Sequence, residues 1–251
     1  MSILRPLIQF SEGLANPAVK DGRLQSSAWE RCMASTVQPL REFAKKLAFR
    51  YASLGAPEYP YIVEPIQLAT FVNELERVKD ISGSILEIGV SRGMTTRFLC
   101  EHLVASGRTD SKFYAIDTFE SFVAKDIDYE VKHRGKAPKE IWGFGYIDYE
   151  SWTRNFREFS FLKAIKGDCS TFDYAKVSPI KFAFLDVDLY LPTKSALQHI
   201  YANLADGGVI LVDDVMQPSR WDGAYQAYTE FCDELGLPFM KVGGKMGIIR
   251  G

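Results

Sequence analysis

Two apolar runs of this chain end abruptly in aspartates: Phe182-Ala183-Phe184-Leu185-Asp186-Val187-Asp188 and Val209-Ile210-Leu211-Val212-Asp213-Asp214. Runs that are hydrophobic on both faces read as fully buried strands, so the acids stand at strand ends. Carboxylates gathered at one sheet edge repel. A like-charged pair ~4 Å apart, at an effective dielectric of ~20, costs roughly 4 kcal/mol. Protons, basic side chains or a divalent cation must offset that cost.

A second acidic set lies upstream. Leu86-Glu87-Ile88-Gly89-Val90-Ser91-Arg92-Gly93-Met94-Thr95 reads as a strand, a glycine turn and a helix start. The glycines allow a sharp turn and close approach to the helix N-terminus. Their spacing is G-x-x-x-G, not the G-x-G-x-x-G of dinucleotide sites. Glu87 before the turn would repel a pyrophosphate but suits an ammonium or sulfonium. Asp117, followed by Thr118 and Phe119, stands at the next strand tip, where an acid can accept both ribose hydroxyls. Asp168, followed by Cys169, stands at the third, where an acid could accept an adenine amino proton. Capping is the common fate of a single Asp after a strand, but it does not explain acidic tips on consecutive strands. Together Glu87, Gly89, Ser91, Gly93, Thr95, Asp117, Thr118, Phe119, Asp168 and Cys169 form the expected site for S-adenosylmethionine, a ligand with ribose, base and a cationic end.

These motifs need a scaffold that brings strand ends together. Strands are expected at Ile85–Val90, Lys112–Asp117, Leu162–Gly167, Lys181–Asp186 and Val209–Asp213, with helices at Met94–Ala105, Pro192–Leu204 and Gly223–Leu235 between or after them. Asp206-Gly207-Gly208 reads as a helix exit. Such alternation predicts an α/β fold, a doubly wound Rossmann-like parallel sheet with helices on both faces. Phe239–Val242 and Met246–Arg250, around Gly243-Gly244, predict a closing antiparallel hairpin. A helix starting at Pro65 should bury Leu68, Val72, Leu75 and Val78. Residues 1–60 read as a helical extension, mostly within Ser27–Ala52 and broken at Pro17, Pro39 and Pro57. The domain proper is expected over 61–251.

An insertion at about 118–161 separates the second and third strands. Tyr129, Trp142, Phe144, Tyr146, Tyr149 and Trp152 make it too aromatic to be simply disordered. It reads as a lid over a binding site, against a helical excursion packing its own small core or a subunit contact. This insertion and the N-terminal helices could build a homo-oligomer interface.

The 251 residues suffice for a sizeable core, and a net charge of −2 gives no electrostatic reason to expect nucleic acid or an acidic membrane. Four scattered cysteines without a C-x-x-C pair argue against a disulfide framework or structural zinc. Reduced thiols, no signal peptide and no membrane span point to the cytoplasm.

The chain resembles class I S-adenosylmethionine-dependent methyltransferases, and among them the macrocin O-methyltransferase family, from about Tyr59 to Gly251. The resemblance rests on Leu86-Glu87-Ile88-Gly89-Val90, Ile116-Asp117-Thr118-Phe119-Glu120, Gly167-Asp168, Leu185-Asp186-Val187-Asp188-Leu189-Tyr190 with Thr193, and Gly207-Gly208 through Asp213-Asp214. It implies a magnesium ion held by Asp186, Asp213 and Asp214, and Asp188 as general base. Val187 and Val215 depart from the family, which often has glycine and an aromatic residue there. The implied reaction moves a methyl group onto a hydroxyl of a small-molecule acceptor, a sugar moiety of a natural product. A catechol-type phenolic O-methyltransferase is the alternative within the fold. Outside it stand a nicotinamide oxidoreductase, disfavoured by the missing G-x-G-x-x-G, and a nucleoside-binding module, which would not need Asp186, Asp213 and Asp214 together. His133, within the basic run Lys132, His133, Arg134 and Lys136, is the alternative base.

Overall fold

A computed structural model describes residues 28–51, 59–141 and 143–251, with side chains in the first segment from residue 39. Helix α1 (Ala28–Tyr51) belongs to one unit of the chain; the other unit runs from Pro60 to Gly251. Pro39 lies inside α1 rather than breaking it. Pro17, Pro57 and Trp142 lie outside the described residues.

The second unit is built on seven strands: β1 (Ser84–Ile88), β2 (Phe113–Asp117), β3 (Leu162–Lys166), β4 (Ile180–Leu185), β5 (Leu204–Val212), β6 (Lys241–Val242) and β7 (Met246–Arg250). They lie in the order β3-β2-β1-β4-β5-β7-β6. The first five are parallel, and β7 runs antiparallel between β5 and β6. The strand order reverses at the β1–β4 boundary, which opens a crevice outside the carboxyl ends of the strands.

Two cores flank this sheet, fed by alternate residues of each strand. Ile85, Phe182, Phe184, Val209 and Leu211 point to one core; Leu86, Ile88, Ala183, Leu185, Ile210 and Val212 point to the other. The first is closed by α2 (Pro65–Arg77), α3 (Met94–Ala105) and Trp152 of α5 (Tyr149–Asn155). The second is closed by α6 (Tyr190–Ala202) and α7 (Asp222–Leu235).

Three elements differ from the expectation. The buried face of α2 carries Gln67, Thr70, Phe71, Glu74 and Leu75, while Leu68 and Val72 are only partly covered. Polar residues can be buried there because they are paired: Gln67 with Asp213, and Glu74 with Arg77 and Arg250. Asp206-Gly207-Gly208 is not a helix exit but lies within β5. The pairing jumps from Ile180↔Leu204 to Phe182↔Val209, so these residues bulge out of register. The insertion forms α4 (Ala124–Arg134), a 3₁₀ turn (Pro138–Glu140) and α5. It packs no separate core of its own: Trp152 and Phe156 enter the main core, whereas Phe122 and Phe144 line a cavity. Among the described residues no helix is long and apolar enough to cross a membrane.

Candidate active site

The parallel topology sets the acids in a row. Following the strand order, the tips carry Asp168 (after β3), Asp117 (β2), Glu87 and Gly89 (β1), Asp186 and Asp188 (after β4), and Asp213 and Asp214 (after β5). Four strand spacings of ~4.8 Å make this edge about 19 Å long. A cavity of ≈ 440 Å³ runs along it, lined by all of these residues together with Ser91, Thr95, Thr118 and Cys169. Such a volume suits a ligand of nucleoside size. Gly93 and Phe119 do not line it. Phe119 packs its ring 5.2 Å from Tyr149 and 5.4 Å from Trp152, in the core.

The glycines serve protein contacts as much as any ligand. At Gly89, φ is 82°, and a Cβ would come 1.7 Å from the Asp186 carbonyl oxygen. At Gly93, φ is 83°, and a Cβ would fall 2.4 Å from the Phe156 ring. Four non-glycine residues near the tips also take positive φ: Ser91 (45°), Phe119 (54°), Asp188 (61°) and Asp214 (57°). Each follows a different one of the four central strands, so backbone strain concentrates at this edge.

Glu87 is 1% exposed, and its Oε2 has no hydrogen-bond partner. Burial, with Asp117 adding to it, pushes this carboxyl up to about 8. Asp117 turns partly inward: Oδ2 accepts from Val90 N (2.8 Å) and Ser91 N (3.3 Å), and Oδ1 from Phe119 N (2.7 Å). It thus caps two loops while still facing the cavity. Asp168 accepts from Lys125 Nζ (2.9 Å) and Ser170 N (2.8 Å). Burial raises its carboxyl, but Lys125 and Ser170 outweigh that and hold it below the usual range. The orphaned Glu87 oxygen and the remaining lone pairs of Asp117 and Asp168 leave acceptors for a cation, a ribose and an amine, so the residues fit S-adenosylmethionine.

At the other end one oxygen each of Asp186, Asp188 and Asp214 lies within 4.8 Å of the others, close enough to hold a metal ion. The residues put forward from the resemblance were Asp186, Asp213 and Asp214. Asp213 stands beside the Asp186, Asp188 and Asp214 group with protein partners on both oxygens: its Oδ1 accepts from Gln67 Nε2 (2.7 Å) and its Oδ2 from Lys245 Nζ (2.7 Å). Lys245 also reaches Asp214 Oδ1 at 3.0 Å. Burial pushes Asp186, Asp188 and Asp213 up, most strongly reinforced by Asp213, Asp214 and Asp214 respectively. Burial pulls the Lys245 ammonium down, but Asp213 and Asp214 outweigh it and raise it. One ammonium among four carboxylates leaves negative charge in excess. All-oxygen donors with that excess fit a hard divalent cation.

Lys245, Gln67, Phe122 and Trp221 escaped the sequence reading, whereas Phe144 was among the aromatics singled out in the insertion. Phe122 lies 5.6 Å from both Phe144 and Trp221, and all three rings line the cavity. The basic run is structural: Arg134 pairs with Glu130 and Asp222, Lys136 with Asp222, and Lys132 with Asp128. The His133 ring lies 4.7 Å from that of Tyr129, tilted by 31°, and does not line the cavity. Cys100, Cys169 and Cys232 are free and buried.

Two curated relatives match part of the chain. One is the 8-demethyl-8-(2,3-dimethoxy-alpha-L-rhamnosyl)-tetracenomycin-C 4'-O-methyltransferase of Streptomyces olivaceus, 27% identical over 139 residues, or 53% of each chain. The other is the demethyldecarbamoylnovobiocin O-methyltransferase of Streptomyces niveus, 26% identical over 164 residues, 62% of this chain and 63% of the relative. The matches thus span about half to under two-thirds of the relatives' length. Two solved structures share the fold: the O-methyltransferase NovP (TM-score 0.61, 18% identity, 77% of this chain and 82% of that one) and the calicheamicin methyltransferase CalS11 (TM-score 0.59, 18% identity, 93% and 99%). The family model for macrocin-O-methyltransferase (TylF) matches residues 62–242, which contain every acidic strand tip of the cavity. The chain therefore belongs to the macrocin-O-methyltransferase family.

Proposed function

We propose that this protein transfers a methyl group from S-adenosylmethionine to a hydroxyl of a sugar moiety on a natural product, assisted by a magnesium ion. The row of acids along one sheet edge carries the reading. It offers Glu87 to a cationic end, Asp117 to a ribose and Asp168 to a base, and it ends in a carboxylate cluster that calls for a cation. The named substrates of the relatives, a rhamnosyl-tetracenomycin and a novobiocin precursor, support the acceptor class.

S-Adenosylmethionine would supply the methyl group, and a divalent cation would neutralise the cluster and polarise the acceptor hydroxyl. The chain's own residues then have distinct tasks. Asp186 and Asp214 are ligands under both groupings of the cluster. Asp188 takes the third position because the two oxygens of Asp213 are engaged by Gln67 and Lys245. A carboxylate has two oxygens, so Asp188 can face the cation with one and accept the hydroxyl proton with the other. Asp213 fixes Lys245 in place. Phe122, Phe144 and Trp221 offer flat apolar surface to a sugar ring and exclude water. The same wall suits a phenol, which makes a catechol-type acceptor the second reading.

Calorimetric titration with S-adenosylmethionine, with and without magnesium, tests the cofactor and the metal. Radiolabelled methyl transfer to a panel of rhamnosides and catechols tests the acceptor. Absence of cofactor binding would sink both readings. Transfer to catechols alone would favour the second.

A further inference from the structure

Asp126 belongs to no role described so far. It lies in the first turn of α4, is 2% exposed, and its Oδ1 has no hydrogen-bond partner. It lines the same cavity as Gly167, Asp168 and Cys169, and lies near enough to Asp168 and Cys169 to act on both electrostatically. A buried oxygen without a donor is unfavourable, so its persistence calls for an explanation such as a bound group.

The surroundings say which kind of group. Burial raises the Asp126 carboxyl to about 6; Asp168 and Glu130 add to this, and Lys125 opposes it. None of those three neighbours satisfies Oδ1. Glu130 is spent on Tyr190 N (2.8 Å) and Arg134 (2.8 Å), and Lys125 is spent on Asp168. The Lys125–Asp168 bridge ties the start of α4 to the loop after β3, which fixes Asp126 beside Asp168. What is missing is a neutral, compact donor arriving from the cavity. An exocyclic amino group on a purine is such a donor, and its two N–H bonds can serve two acceptors.

We propose that Asp126 is a specificity residue for the cofactor, accepting a hydrogen bond from the adenine 6-amino group alongside Asp168. This rests on the cofactor reading given above. A site built around a buried acceptor discriminates strongly against a ligand lacking the matching donor, because the acceptor is then left unpaired.

The test compares S-adenosylhomocysteine with the same nucleoside bearing hydrogen in place of the 6-amino group. Calorimetry or intrinsic fluorescence of the full chain measures the two dissociation constants. Wild type should prefer the amino ligand by about tenfold or more. Asp126→Ala should cut the preference to about threefold or less, and Asp126→Asn, whose amide oxygen still accepts, should keep most of it. Equal wild-type affinity for the two ligands overturns the inference without needing any variant to fold. An unchanged preference in Asp126→Ala overturns it as well. If wild type binds neither nucleoside, the cofactor reading itself falls.

Discussion

Replacing Glu87 by Gln separates the cost of this site from its use. Glu87 lies on β1 among apolar neighbours, and its carboxyl is raised from 4.5 to about 8, first by burial. A raised acid favours the folded state while it stays protonated. Its contribution is complete below pH ~4.5 and is lost progressively as pH rises towards 8, because the unfolded chain ionises first. At 1.36 kcal/mol per pKa unit, the loss at pH 7 amounts to roughly 3 kcal/mol. Gln has the same shape and does not titrate. Glu87→Gln should come within about 1 kcal/mol of wild type at pH 5 and exceed it by about 4 kcal/mol at pH 8. Urea unfolding at pH 5, 6, 7 and 8 reads this directly. Ligand binding should move the opposite way. An approaching cation stabilises the ionised carboxylate, so S-adenosylmethionine should bind wild type with proton release near neutral pH, and Glu87→Gln should bind it more weakly. Parallel stability curves for the two proteins across that pH range would refute the reasoning.

Three other perturbations probe the edge. Gly89→Ala would drive a Cβ to 1.7 Å from the Asp186 carbonyl oxygen; a loss of several kcal/mol in chemical denaturation is expected, roughly the top of the single-mutation range, and a loss under 1 kcal/mol would count against this packing. Lys245→Met leaves Asp213 and Asp214 without their ammonium, and breaking such a buried pair costs about 3–5 kcal/mol. Added magnesium should restore part of that in thermal melts, and a variant as stable as wild type would show that Lys245 does not hold the cluster. Asp188→Asn should weaken magnesium binding in calorimetry by about tenfold or more, and more than Asp213→Asn does; the reverse order would return the third ligand position to Asp213.

The tips of β4 and β5 were legible because each breaks an apolar run buried on both faces, and those of β1, β2 and β3 because an acid recurs at the end of each consecutive strand. The G-x-x-x-G turn was legible too, although the structure shows Gly89 making room for the backbone at Asp186 and Gly93 for the Phe156 ring. Contacts across long stretches of chain were not legible. Gln67 meets Asp213 across 146 positions, and Lys245 meets it across 32. Nothing local in a helix face or a Gly-Gly-Lys turn announces such partners. A purely apolar template likewise misplaced the buried face of α2, because Gln67 and Glu74 are buried through pairing. Asp206-Gly207-Gly208 has the composition of a helix stop, yet sheet pairing claimed it as a bulge.

Gln67 does two jobs with one amide. Its Oε1 accepts from Glu64 N (2.7 Å) to cap α2, and its Nε2 donates to Asp213 (2.7 Å). Glu64 in turn accepts from Gly244 N (2.8 Å), in the turn that delivers Lys245. The entry to α2 and the last hairpin thus meet over the acidic edge, although they are the two ends of the domain. A chain trimmed to begin at β1 would retain every acidic tip and the whole sheet. It would also strand Asp213 with one partner fewer and loosen the lysine beside it. For a domain of this kind, the segment ahead of the first strand is part of the charge balance at the acidic edge, and a boundary drawn at the glycine-rich motif would cut through it.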